Sequence, residues 1–171
     1  IYTKILVGSV RMCIRDRIYG CRVVAIAGSN EKLEYLKTIG VDAVVSHRSA
    51  GFSEELRYAC PDGCDIYFEN VGGAVFDAVL PLLNDQSRIA LCGLISQYGN
   101  VDGQDPRSRW RAVGSAVFER NRVSVHDLFV GNFVADYQDR FLEEMGAYVR
   151  AGEVQYLEDK RHGLENTPEV F

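Results

Sequence analysis

Asp65-Ile66-Tyr67-Phe68-Glu69-Asn70-Val71-Gly72-Gly73 is an apolar run that stops in an asparagine and a glycine pair, and Leu91-Cys92-Gly93-Leu94-Ile95-Ser96-Gln97-Tyr98 repeats the arrangement. Both read as strands that end abruptly in backbone-permissive or small polar residues. Glycine carries no Cβ, so the main chain there can approach a ligand closely. In an open parallel sheet, ligands bind in the crevice beyond the carboxyl ends of the strands. Two such endings predict a cofactor lying across one edge of a parallel sheet.

The surrounding sequence supports that sheet. Strand and helix patterns alternate, as βαβ units require. Cys21 to Ala27 is apolar and β-branched on both faces, the pattern of a buried parallel strand. Asn30 is expected to cap a helix through Leu33, Leu36 and Ile39 that Gly40 ends. Asp42 to Ser46 reads as a short strand. Ser53 is expected to cap a helix closed by Pro61-Asp62-Gly63, and Cys64 to Phe68 is the next strand. Ala74 to Leu83 reads as a helix with Phe76, Val79, Leu80 and Leu83 on its apolar face, followed by a strand over Ser87 to Cys92. Beyond a polar loop, a helix is expected over Ser108 to Glu119, a strand over Arg122 to Val130 and an amphipathic helix over Tyr137 to Ala151. Gln155 to Lys160 reads as extended. The fold class is therefore α/β: a doubly wound, Rossmann-like parallel sheet, expected to be incomplete at both ends.

Composition narrows the function classes. The chain has 171 residues, 47% of them hydrophobic, enough for one well-cored domain. A formal net charge of −5 gives no electrostatic reason to expect nucleic acid. No apolar run reaches the ~20 residues that cross a bilayer. Five cysteines, at 13, 21, 60, 64 and 92, read as reduced thiols of a cytoplasmic protein rather than a disulfide framework. Cys60 and Cys64 bracket a turn, but no second Cys or His pair stands at metal-binding spacing, so no metal is expected.

Residues 1–17 are set apart from a cofactor-binding domain over 18–160. Residues 161–171 are read as the start of a truncated return to a further domain. Lys4 to Gly8 has the form of a first strand opening a phosphate loop, but one glycine stands where the dinucleotide fingerprint has three. Arg11 to Arg17 places four charges where a helix packed on a sheet should be apolar. Met12 to Arg17 also resembles a translated sequencing adapter, so the segment is expected to be partly non-native; a divergent surface helix is the alternative.

The candidate site residues follow the strand ends. About 20 residues after its glycine loop, an NAD-binding fold usually places an acid on the ribose 2′-hydroxyl. Here that position falls at Gly28-Ser29, with no acid at the strand tip and Lys32 in the first helical turn. This favours NADP(H), whose 2′-phosphate needs small neutral residues and a cation; Glu31 argues mildly the other way, and a solvated helix lysine is the plainer reading. Asn70 offers an amide donor and acceptor to a ribose or nicotinamide, or is an ordinary turn asparagine. Tyr98 brings a phenol to the end of the second loop. His47, His126 and His162 have no partner that marks an acid–base pair.

From Ile18 onward the sequence resembles the zinc-independent medium-chain dehydrogenases/reductases of the leukotriene B4 12-hydroxydehydrogenase, prostaglandin reductase and curcumin reductase group. Tyr19 to Val24, Ala27-Gly28-Ser29 through Glu31-Lys32, Cys60 to Gly63, Tyr67 to Gly73, Cys92 to Tyr98 and Gly163 to Asn166 carry the likeness. The resemblance implies NADPH-dependent reduction of the carbon–carbon double bond of an α,β-unsaturated ketone or aldehyde (an enone or enal). Hydride would go to the β-carbon and a proton to the α-carbon. It implies a small-molecule partner and leaves open a homodimer. It assigns Lys32 to the 2′-phosphate and Asn70 to the cofactor. Cys92, Gly93, Ile95, Ser96 and Tyr98 would form the loop lining the nicotinamide side, and Phe129, Val130 and Gly131 a second cofactor-contacting segment. Tyr98 would touch the nicotinamide ribose or the enone oxygen. His47 stands where the family commonly has a tyrosine, and the glycine-rich phosphate loop is missing. A zinc-type alcohol dehydrogenase relative and a non-catalytic nucleotide-binding or sensor module are the competing readings.

Overall fold

Val23, Val24, Ala25 and Ile26 are buried from both sides, the signature of a central strand with helices on each face. A computed structural model describes residues 4–7, 10–99, 103, 105–155, 158, 160, 162–166 and 168. Six parallel strands form one sheet: β1 (Lys4–Val7), β2 (Arg22–Ala27), β3 (Ala43–Ser46), β4 (Cys64–Glu69), β5 (Leu83–Leu91) and β6 (Ser124–Asp127). Their spatial order is β3-β2-β1-β4-β5-β6. Between β1 and β4 the winding reverses, the switch point at which such sheets bind dinucleotides.

The helices are α1 (Val10–Ile18), α2 (Asn30–Thr38), α3 (Phe52–Ala59), α4 (Gly73–Val79), α5 (Pro106–Arg120) and α6 (Gly131–Arg150). Right-handed crossovers put α3, α4 and α5 on one face. There Phe52, Leu56, Val75, Phe76, Val79 and Trp110 pack on Val24, Ile26, Tyr67 and Ile89. On the opposite face Leu36 of α2 packs with Val23, Ala25 and Phe68. Arg17 Nη1 donates to the Ile39 carbonyl at 3.3 Å, tying the end of α1 to the end of α2. Residues 4–7 are thus part of the sheet, hydrogen-bonded to both β2 and β4. Gly8 and Ser9, where the phosphate loop would begin, lie outside the described residues, as does part of the expected extended segment 155–160. Among the described residues no helix is long and apolar enough to cross a membrane.

Several boundaries differ from the sequence reading. Ser29, not Asn30, caps α2, its Oγ accepting from Lys32 N at 3.3 Å. Either residue type can cap; the extended backbone of Ser29 decides. Gly51, not Ser53, precedes α3, and Ser53 lies inside the helix. α4 stops at Val79 and a 3-10 turn at Leu80–Leu82 carries Pro81, so Leu83 opens β5 instead of closing a helix. β5 therefore starts four residues earlier than Ser87. The polar stretch Asn84-Asp85-Gln86 hid this, because it bulges between the Cys64–Leu83 and Ile66–Arg88 pairings, with Gln86 at φ +57°. Asp105 caps α5 and Pro106 takes its first turn, extending the helix ahead of Ser108. β6 ends at Asp127, and α6 starts at Gly131 rather than Tyr137.

Candidate functional site

Because all six strands are parallel, Gly28-Ser29, His47, Asn70 to Gly73, Gly93 to Tyr98 and Phe129 to Gly131 all leave the sheet at the same end. The segments after β4 and β5 are locked together by their backbones. Cys92 N and Gly93 N donate to the Glu69 carbonyl at 2.8 and 3.2 Å. Ile95 N donates to the Asn70 carbonyl at 3.1 Å and Ser96 N to the Val71 carbonyl at 3.0 Å, the latter carbonyl also taking the Ser96 hydroxyl at 2.5 Å. Gly72, at φ +72° and ψ −162°, occupies a conformation essentially closed to residues with a side chain.

Beneath these loops lies Glu69, fully buried at the end of β4. Its Oε1 accepts from Val71 N and Gly72 N, both at 2.8 Å, and its Oε2 accepts from Trp110 Nε1 at 3.1 Å. The Tyr67 hydroxyl is a further donor. Burial pushes the Glu69 carboxyl up, and these donors oppose the shift. The same burial, together with the Glu69 charge, pushes the Tyr67 phenol well above its ordinary value. Trp110 is itself held by Phe76, ring centroids 4.5 Å apart, so α5 and α4 buttress the Asn70 loop through one carboxylate.

On top of the loops the geometry changes from closed to open. A Cβ added at Gly93 would stand 2.6 Å from Asn70 Oδ1 and 2.9 Å from the Tyr98 hydroxyl. The missing side chain is therefore what lets the Asn70 amide and the Tyr98 phenol converge over the backbone. Neither makes a hydrogen bond with another described residue. Tyr98 is 69% exposed and Ile95 61%. An unpartnered amide, a phenol and a bare glycine backbone form a cradle suited to a flat ring bearing an amide and a ribose. On the far side Arg107 joins Cys92 to β6, donating to the Cys92 carbonyl at 3.3 Å and to Asp127 Oδ1 at 2.7 Å.

At the other end of the row, the pairing of Ala27 with Ser46 brings His47 and Arg48 beside Gly28. A Cβ at Gly28 would stand 2.5 Å from His47 Nε2 and 3.1 Å from Arg48 Nε. Lys32 enters from α2, one turn past the Ser29 cap.

A sequence profile of the zinc-binding dehydrogenase family matches residues 13–147. The chain belongs to that family. Among curated relatives, it is 38% identical over 156 residues to the NADPH-dependent curcumin reductase of Escherichia coli, covering 91% of this chain and 45% of that protein. Prostaglandin reductase 1 of Oryctolagus cuniculus is 36% identical over 156 residues, covering 91% and 43%. The crystal structure of CurA from Vibrio vulnificus in complex with NADPH superposes with a TM-score of 0.85 at 36% identity, over 98% of this chain and 52% of that one. The chain thus spans about half the length of the relatives it matches. These are members of the reductase group whose motifs the sequence carries.

The family's name implies zinc, and the described residues gather no donor set that fits it. Cys60 and Cys64 sit at the end of the sheet away from Asn70, with Cys64 Sγ donating to the Ile66 carbonyl at 3.0 Å. Among the described residues no three His, Cys, Asp or Glu side chains gather as metal ligands.

Sequence reasoning found the strand-end residues but not Glu69, Trp110, Arg107 or Arg48. For Glu69 a signal existed, since a charged residue inside an apolar strand calls for buried partners.

Proposed function

We propose that this chain is the NADP(H)-binding part of a reductase that saturates the carbon–carbon double bond of an α,β-unsaturated ketone or aldehyde. The convergence of Asn70, Gly93 and Tyr98 in one open cradle carries this reading. Likeness to the curcumin and prostaglandin reductases supports the substrate class.

NADPH bound across the strand ends would supply the hydride. Asn70 holds the carboxamide or ribose through its amide, and Gly93 leaves the room for close approach. Tyr98 orients the nicotinamide ribose or donates its hydroxyl hydrogen bond to the carbonyl oxygen of the substrate. A hydrogen bond at that oxygen withdraws electrons and makes the β-carbon the electrophile, so that hydride from bound NADPH would go there, leaving NADP+, and a proton from solvent would be taken up at the α-carbon. Ile95, Ser96 and Cys92 shape the nicotinamide side, and Phe129-Val130-Gly131 extends it past β6. Gly28, Ser29, Lys32 and His47 form the adenosine side, selecting the 2′-phosphate.

Among the described residues the cradle has one wall. Ile95, Tyr98 and Phe129 face solvent, whereas hydride transfer needs reacting atoms held roughly 3–3.5 Å apart in a site closed to water. The test is NADPH oxidation with a simple enone, by this chain and by a protein extended to the length of its relatives. Turnover by the extended protein and none by the chain is expected. No turnover by the extended protein with any enone or enal, despite NADPH binding, would remove the substrate class.

A further inference from the structure

Three features at the tip of β2 do not follow from strand-end glycines alone. Parallel pairing of Ala27 with Ser46, and donation by His47 N to the Ala27 carbonyl at 3.1 Å, make β2 and β3 leave the sheet side by side. Arg48 N then donates to Ser46 Oγ at 3.3 Å, a local turn just past the end of β3. The outcome is an arginine side chain whose Nε would stand 3.1 Å from a Cβ at Gly28. Arg57, Arg107, Arg111, Arg122 and Arg140 each hold a carboxylate, and Arg17 and Arg22 each donate to a main-chain carbonyl. Arg48 and Lys32 hold no carboxylate among the described residues. Arg48 thus stands against the bare Gly28 backbone, with Lys32 and the single acid Glu31 in the first turn of the helix that follows Gly28-Ser29.

We infer that Arg48 is a specificity-determining residue that grips the 2′-phosphate of NADP(H) from the β3 side while Lys32 reaches it from α2. This rests on the NADP(H) reading above and adds to it a residue that the family motifs do not supply. A guanidinium presents a planar fork that matches phosphate oxygens two at a time, and it stays charged at every working pH. The small residues Gly28 and Ser29 keep the space between the two cations free. NAD(H), with a 2′-hydroxyl there, gains nothing from either.

Calorimetric titration with adenosine 2′,5′-bisphosphate and adenosine 5′-monophosphate tests this without any turnover. The unaltered protein should bind the bisphosphate more tightly. Arg48→Ala should weaken the bisphosphate by about tenfold and leave the monophosphate within about twofold, with Arg48→Lys falling between. Bisphosphate affinity unchanged in Arg48→Ala would overturn the inference. Equal losses for both nucleotides would also overturn it, since Arg48 would then serve the fold or the adenine. If the unaltered protein does not distinguish the two nucleotides, the NADP(H) reading itself fails, and Arg48 with it.

Discussion

The two ends of the strand-end row are built by opposite means. After β4 and β5 the loops interlock through five hydrogen bonds made by Cys92, Gly93, Ile95 and Ser96, with a buried carboxylate underneath. After β2 and β3 the site is made of exposed side chains, Lys32, His47 and Arg48, standing around one glycine. The first end is part of the fold, so its residues resist change. The second is a surface charge arrangement, which can be retuned without touching the core. On the proposed reading, chemistry common to every nicotinamide cofactor falls on the rigid end, and discrimination between two cofactors falls on the adjustable one.

Removing the Glu69 carboxylate should break this contrast most strongly. Glu69→Ala orphans the Val71 and Gly72 amides and the Trp110 indole together. A loss of about 3–5 kcal/mol is expected, roughly 10 °C in Tm, because each unsatisfied buried donor costs ~1–3 kcal/mol. Glu69→Gln, which turns a donor toward other donors, should lose less. A melting curve unchanged in Glu69→Ala would mean that the loops do not depend on the carboxylate.

Gly93→Ala should separate affinity from stability. The new methyl meets the free ends of two flexible side chains, Asn70 and Tyr98, which can swing aside at little cost to the fold. NADPH and NADH should both bind at least tenfold more weakly, with Tm nearly constant. A loss confined to NADPH would put Gly93 at the wrong end of the cofactor.

Lys32→Ala sharpens the same contrast from the other side: about tenfold weaker NADPH binding with NADH unchanged. Equal losses would assign Lys32 to folding.

The smallest effect concerns α1. Burial pushes the Asp16 carboxyl from 3.8 up to about 6, against the pull of Arg15. The folded chain thus holds this proton more tightly than the unfolded chain. The associated stability is complete below about pH 4 and is lost as pH rises through 6. Asp16→Asn should therefore stabilise the protein at pH 7 by at most about 1 kcal/mol, after allowing for solvent screening, and leave it unchanged near pH 4. A gain of the same size at both pH values would trace the effect to packing.

The sheet was legible in the sequence wherever strands are buried on both faces, as at Val23 to Ile26, since such strands read as continuous apolar runs. It was less legible at Asn84-Asp85-Gln86, where a bulge places polar residues within β5, and ahead of Tyr137, since α6 already begins at Gly131. Candidate residues that end strands could be read off the chain directly, as at Asn70 and Gly93. Arg48 could not, because its place depends on which strand pairs with β2 and in what register. Trp110 was equally hidden, lying 41 residues from the carboxylate it bonds.

Mapping the cofactor by two-dimensional amide NMR tests the central claim, that a nicotinamide dinucleotide phosphate lies across one end of this sheet. On addition of NADPH, amides of Gly28 to Lys32, Asn70 to Gly73 and Gly93 to Tyr98 should shift together and saturate at one concentration. Shifts confined to the opposite end, at Gly40 and Gly63, or none at all at saturating NADPH, would contradict it.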